Sequence, residues 1–197
     1  PTEPYRFGRL YFRVGSLYAI QRRDHATAAE WFRAQLRDDT IGRDARMYLE
    51  GRGIDAEAQE RFGIGFAPRD AQAMRRHLHG LGFDDGRQLE AGLLVSRDES
   101  VRVRFAGRLM FPIVDELGHH VAFGGRAMGD VTPKYLNSAE SAVFQKRRTL
   151  YGLYAGKQAM RRAERVLVVE GYLDAIRVAL SGIDEVVAPL GTALTEE

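Results

Sequence analysis

The chain has 197 residues, 45% hydrophobic and 28% charged, which is enough for a buried core and too apolar for a disordered tail. It contains no cysteine, so disulfides and cysteine-ligated zinc are excluded within it, and no apolar run approaches the ~20 residues that cross a bilayer. The formal net charge of +2 is uneven: nine basic residues between Arg126 and Arg165 face only Asp130, Glu140 and Glu164, which leaves −4 for the rest. Such a field suits a polyanion, although a solvated arginine-rich surface gives the same count.

The N-terminal PTEPYRFGRLYFRV lacks the apolar core and cleavage site of a secretory signal. Residues 1–20 have no clear period and are expected to form a linker or an ordered arm, set apart as 1–24. TAAEWFRAQL then places Trp31, Phe32 and Leu36 on one helical stripe, with the aromatic pair expected in the core. RDARMYLEGRG predicts a second helix stopped at Gly51 and Gly53, and Asp55 is a fitting N-cap for AEAQERF. Further helices are expected over 71–80 and 86–91.

The period then changes. LLVSRDESVRVRF and GRLMFPIVDELGHHVAFGGR predict β-strands with turns at 98–100 and 115–118. Pro112 favours an edge position or a bulge. The C-terminal part reads as helix (AGKQAMRRAER), buried strand (VLVV), helix (YLDAIRVALSG) and strand (EVVAPLG), a βαβ unit of the kind that builds parallel sheets. The expected class is α+β: an N-terminal helical and β subdomain over 25–150, then the first βαβ unit of an α/β domain over 151–197.

Glu170 ends the VLVV strand, where open α/β sheets bind ligands, and Asp174 follows one helical turn on. Two carboxylates there suit a hard divalent cation, while a charge–dipole role at a helix start accounts for the same spacing. Upstream, GGRAMGDVTPKYLNSAESAVFQKRR gathers Arg126, Lys134, Tyr135, Asn137, Lys146 and Arg148. The cations can neutralise phosphates and the tyrosine can stack on a base; a basic loop around a buried tyrosine is the alternative. The histidines do not converge, and neither a GxGxxG fingerprint, a Walker loop nor a GxSxG elbow is present.

RLMFPI (108–113), FGGR (123–126), PKYLNSAES (133–141), LYGLYAG (150–156), VVEGYLDAI (168–176) and LGTAL (190–194) occur in an order and spacing that resembles bacterial DNA primase of the DnaG type. YLEGRGI with RFGIGFAP resembles that family's helical N-terminal region, so the resemblance spans roughly 25–197. It implies a basic groove for a single-stranded DNA template along Arg108, Arg126, Lys134 and Lys146, with Tyr135, Asn137 and Arg148 nearby. It also implies that Glu170 and Asp174 are the first catalytic acids of a Toprim site, with Glu170 helping to hold Mg²⁺ or Mn²⁺, for two-metal transfer of ribonucleotides onto an RNA primer. The cytoplasm is the implied location, with no membrane partner.

Three departures accompany the resemblance. QKRR stands where HKGR is usual, so Gln145 and Arg147 replace a histidine and a glycine. The family's zinc domain and helicase-contacting region have no counterpart in these residues, and its later Toprim aspartates would follow residue 197. The metal cage is therefore expected to be incomplete here, and robust primer synthesis by these residues alone is not expected. Rival readings are a nucleic-acid-binding module without chemistry, a Toprim nuclease or topoisomerase relative, and a fragment that docks a replication partner.

Overall fold

The computed structural model describes residues 4–130 and 132–191. A long helix, α1 (Pro4–Arg37), opens the chain, so the expected boundary at residue 24 falls inside one helix. Three short elements follow: α2 (Arg43–Glu50), α3 (Ala56–Arg61) and β1 (Gly65–Ala67). As expected, Asp55 caps α3 by accepting from the Ala58 amide at 2.9 Å. Helices α4 (Ala71–Gly80) and α5 (Asp85–Glu90) lead into a hairpin, β2 (Leu94–Arg97) and β3 (Ser100–Val103), turned at Asp98 and Glu99.

The central sheet adds β4 (Arg108–Val114), β5 (His120–Ala127) and β6 (Tyr135–Asn137) in the order β1-β4-β5-β6, antiparallel throughout. Ser138 extends the β5–β6 ladder: its amide donates to Phe123 O, and its hydroxyl accepts from Phe123 N. Pro112 lies past the end of the β1 pairing and next to a register shift at Ile113/Val114, so its missing N–H breaks no ladder bond to β1.

The register gives the sheet two faces. Leu109 pairs with Arg126, Phe111 with Gly124 and Ile113 with Ala122, and these share one side. Arg108, Met110 and Pro112 share the other. The second side packs on α1, where Phe32 and Phe105 meet Phe123 edge-on at 5.2 and 6.4 Å; Trp31 and Phe32 are core residues. Helix and strand touch closely there: a Cβ on Gly65 would lie 2.5 Å from the Phe32 Cβ.

A basic 3₁₀ turn (Lys146–Arg148) precedes α6 (Leu153–Ala163), β7 (Leu167–Val168), α7 (Tyr172–Leu180) and β8 (Val186–Val187). Strands β7 and β8 are parallel, so the βαβ unit is present. β7 is shorter and more exposed than a buried strand. Leu167 and Val169 turn to the core, but Val166 and Val168 are 50% and 46% exposed, because no element among the described residues covers that side. Tyr172 stacks on Phe111 at 5.3 Å and joins the βαβ unit to the first side of the central sheet. The LGTAL segment is described only to Gly191; residues 192–194 lie outside the described residues.

Candidate nucleic-acid interface and carboxylate edge

The β5–β6 register places Arg126 opposite Tyr135 and Gly124 opposite Asn137, so Arg126, Tyr135 and Asn137 share one face. Tyr135 is 47% exposed, with its ring available for stacking. Arg126 is only 9% exposed. Its guanidinium lies over the Tyr48 ring, 4.3 Å from the centroid, and donates to Ala127 O at 3.2 Å, while its Nε is buried without a partner. The Nε is closed off from solvent, but the residue borders open space. A cleft of about 490 Å³ adjoins it, lined by Tyr48, Arg126, Met128, Asp130, Thr132 and Lys134.

Tyr48 also borders a second cleft of about 620 Å³ with Arg52 and Arg177, and the Arg52 guanidinium lies 4.9 Å from the same ring. Sequence reading missed Tyr48, Arg52 and Arg177. Tyr48 and Arg52 are one helical turn apart, but their approach to Arg126 and Arg177 depends on packing across long sequence separations, which no local motif records.

Lys134 shares that cleft with Arg126, whereas Lys146, Arg147 and Arg148 sit in the 3₁₀ turn; several other cations of the chain are tied up in ion pairs. Arg22, Arg33, Arg37, Arg61, Arg75, Arg87 and Arg165 each meet a carboxylate. Among the described residues no carboxylate pairs with the side chains of Arg126, Lys134, Lys146, Arg147 or Arg148. Arg147 and Arg148 are exposed in the 3₁₀ turn, and the buried Phe144 anchors the loop that carries it.

Two residues expected in the groove are placed or engaged differently. Arg108 pairs with Ala127, whereas Arg126 pairs with Leu109, so the two arginines point to opposite sides of the sheet. Arg108 is 2% exposed and donates to Pro133 O at 2.7 Å. Burial lowers its guanidinium pKa, and its bond holds the loop before Lys134 rather than reaching a phosphate.

Asn137, expected beside the template, has both ends of its amide engaged. Its Nδ2 donates to Leu190 O at 2.8 Å and its Oδ1 accepts from Tyr172 Oη at 2.5 Å. The Asn137 carbonyl accepts two bonds from Arg104, at 2.7 and 3.2 Å.

The carboxylates stand at the far end of this tie. Val169 donates to Val187 O as the last bond of the β7 edge, Glu170 follows at once, and Gly171 caps α7. Glu170 and Asp174 are both exposed, one at the strand end and the other in the first helical turn. As hard oxygen donors they fit part of a divalent-cation site, but no group of three potential ligands occurs among the described residues.

An unpaired basic and aromatic sheet face, tied to strand-end carboxylates, defines an α+β core suited to handling a polyanion. Residues 31–157 match the family model of the DNA primase catalytic core, N-terminal domain. The chain is 44% identical over 174 residues to the DNA primase of Pseudomonas aeruginosa, covering 87% of this chain and 26% of that protein. It is 42% identical over 167 residues to the DNA primase of Escherichia coli K12, covering 84% and 29%. A solved DnaG primase catalytic domain bound to single-stranded DNA superposes with a TM-score of 0.85 at 39% identity, covering 92% of this chain and 56% of that one. The chain belongs to the DnaG-type bacterial DNA primases and falls in their catalytic core. It spans just over a quarter of the length of the curated relatives it matches.

Proposed function

We propose that this chain is the template-holding part of a primase RNA polymerase core. Residues 25–150 form the subdomain that binds single-stranded DNA, and residues 151–197 open the Toprim domain. Arg126, Lys134, Lys146 and Arg148 neutralise template phosphates, and Tyr135 offers a ring to a base. The observation that carries this reading is the cleft that brings Arg126 and Lys134 together beside the Tyr48 ring, with neither cation in an ion pair among the described residues.

Glu170 and Asp174 would hold a divalent cation, Mg²⁺ or Mn²⁺, together with residues outside this chain. Such a cation, when bound, supplies charge neutralisation at reacting phosphates. The chain's own residues bind and orient the template beside that edge. In the whole protein the product is a short RNA primer made from ribonucleotides, in the cytoplasm, with a replicative helicase engaged and zinc bound through residues outside these 197.

Fluorescence anisotropy of labelled single-stranded DNA across a salt series tests the binding face. Arg126→Ala and Lys134→Ala should each weaken binding and lower the salt slope by about 1. Unchanged affinity and slope in both would refute the assignment.

A further inference from the structure

Asn137 lies in sequence between two template-binding candidates, but its geometry gives it other work. We infer that Asn137 is a positioning residue that couples the template face to the Glu170 edge; this rests on the primase reading above. Its amide can satisfy its neighbours in one orientation only. Leu190 O is an acceptor, so the group facing it must be Nδ2, and Oδ1 is left to face the Tyr172 hydroxyl. Burial raises the Tyr172 phenol pKa, which keeps the hydroxyl protonated as the donor.

One side chain thus ties β6 to the start of α7 and to the segment after β8. Both ends of the βαβ unit near Glu170 are held by it. The surroundings are shaped for the contact. Gly124, opposite Asn137 in the ladder, leaves room for the Tyr172 ring, which a Cβ there would approach to 2.4 Å. Arg104 fixes the Asn137 backbone from the other side. Tyr172 is 4% exposed, so it cannot itself touch a nucleic acid. Its hydroxyl therefore separates the two roles open to Asn137: a loss shared by Asn137 and Tyr172 variants reports the tie, whereas a loss confined to Asn137 reports a template contact.

The test compares Asn137→Ala, Asn137→Asp and Tyr172→Phe, singly and with Asn137→Ala and Tyr172→Phe combined. In the 197-residue protein, hydrogen exchange at amides 175–177, the first bonded amides of α7, should quicken at least tenfold in Asn137→Ala and Tyr172→Phe, while affinity for single-stranded DNA stays within twofold. The double variant should resemble Asn137→Ala, because that change already removes the bond that Tyr172→Phe removes. Asn137→Asp, which keeps an acceptor for Tyr172, should preserve protection at 175–177 and lose it at Ala188, whose amide donates to Tyr151 O.

In the full-length primase, Asn137→Ala and Tyr172→Phe should lower kcat for primer synthesis about tenfold with template KM unchanged, and Asn137→Asp should restore part of it. Unchanged exchange in both variants overturns the proposal. So does a DNA-affinity loss of fivefold or more in Asn137→Ala that Tyr172→Phe does not share. An unchanged kcat overturns it as well. The exchange arm needs no DNA, so failure of the template-binding reading shows separately, as absent binding by the unsubstituted protein.

Discussion

The guanidinium of Arg126 lies 4.3 Å from the centroid of the Tyr48 ring, joining a strand of the central sheet to helix α2. An arginine held this way keeps its charge while its fork is fixed by stacking. Arg126→Ala should weaken single-stranded DNA binding about tenfold, and Tyr48→Leu about fivefold, as a cation–π contact of roughly 1 kcal/mol implies. Arg126→Lys should fall between wild type and Arg126→Ala. Anisotropy titrations at one fixed salt concentration measure all three.

Gly124 faces the Tyr172 ring so closely that a Cβ would overlap it at 2.4 Å. Gly124→Ala should therefore destabilise the fold by about 1–3 kcal/mol, the range for overpacking a filled core. Urea unfolding gives the value. Gly129→Ala, on an exposed turn with only an arginine side-chain tip nearby at 3.5 Å, serves as a comparison for backbone strain alone.

His25 is buried at 1% exposure, and its Nδ1 donates to Gln21 O at 2.7 Å. Burial pushes its pKa down to about 4 from 6.5. The unfolded chain then binds a proton that the folded chain refuses, so stability is lost as pH falls from 6.5 toward 4. The loss should reach about 2–3 kcal/mol near pH 4. His25→Gln should flatten that part of the pH–stability curve, measured by denaturant unfolding from neutral pH down through that range.

Glu170 and Asp174 offer two carboxylates and no third ligand among the described residues. Mn²⁺ binding by the 197-residue protein, followed by electron paramagnetic resonance, should be about millimolar or weaker. Glu170→Gln should weaken it further and leave single-stranded DNA affinity within twofold, since the template face is built from other strands.

Much of this fold is legible in the sequence because burial leaves periodic marks. The alternation in 94–114 and 119–127, the Asp55 cap and the βαβ rhythm after residue 153 all come from local chemistry. Strand register does not. Whether Arg108 and Arg126 share a face depends on the pairing of β4 with β5, and that pairing puts them on opposite sides. Asn137 presents the same difficulty, since its partners Tyr172 and Leu190 are distant in sequence. Val168 reads as a buried strand residue by composition, yet it faces a side that no described element covers. The continuity of α1 through residue 24 is hidden because its first part has no regular apolar stripe.

The most direct test of the template face is photo-crosslinking with single-stranded DNA carrying 5-iodouracil, followed by mass spectrometry of the joined peptides. Crosslinks on Tyr135 and the peptide around it are the expected result. Crosslinks confined to Tyr154 or to the 97–102 hairpin would contradict it.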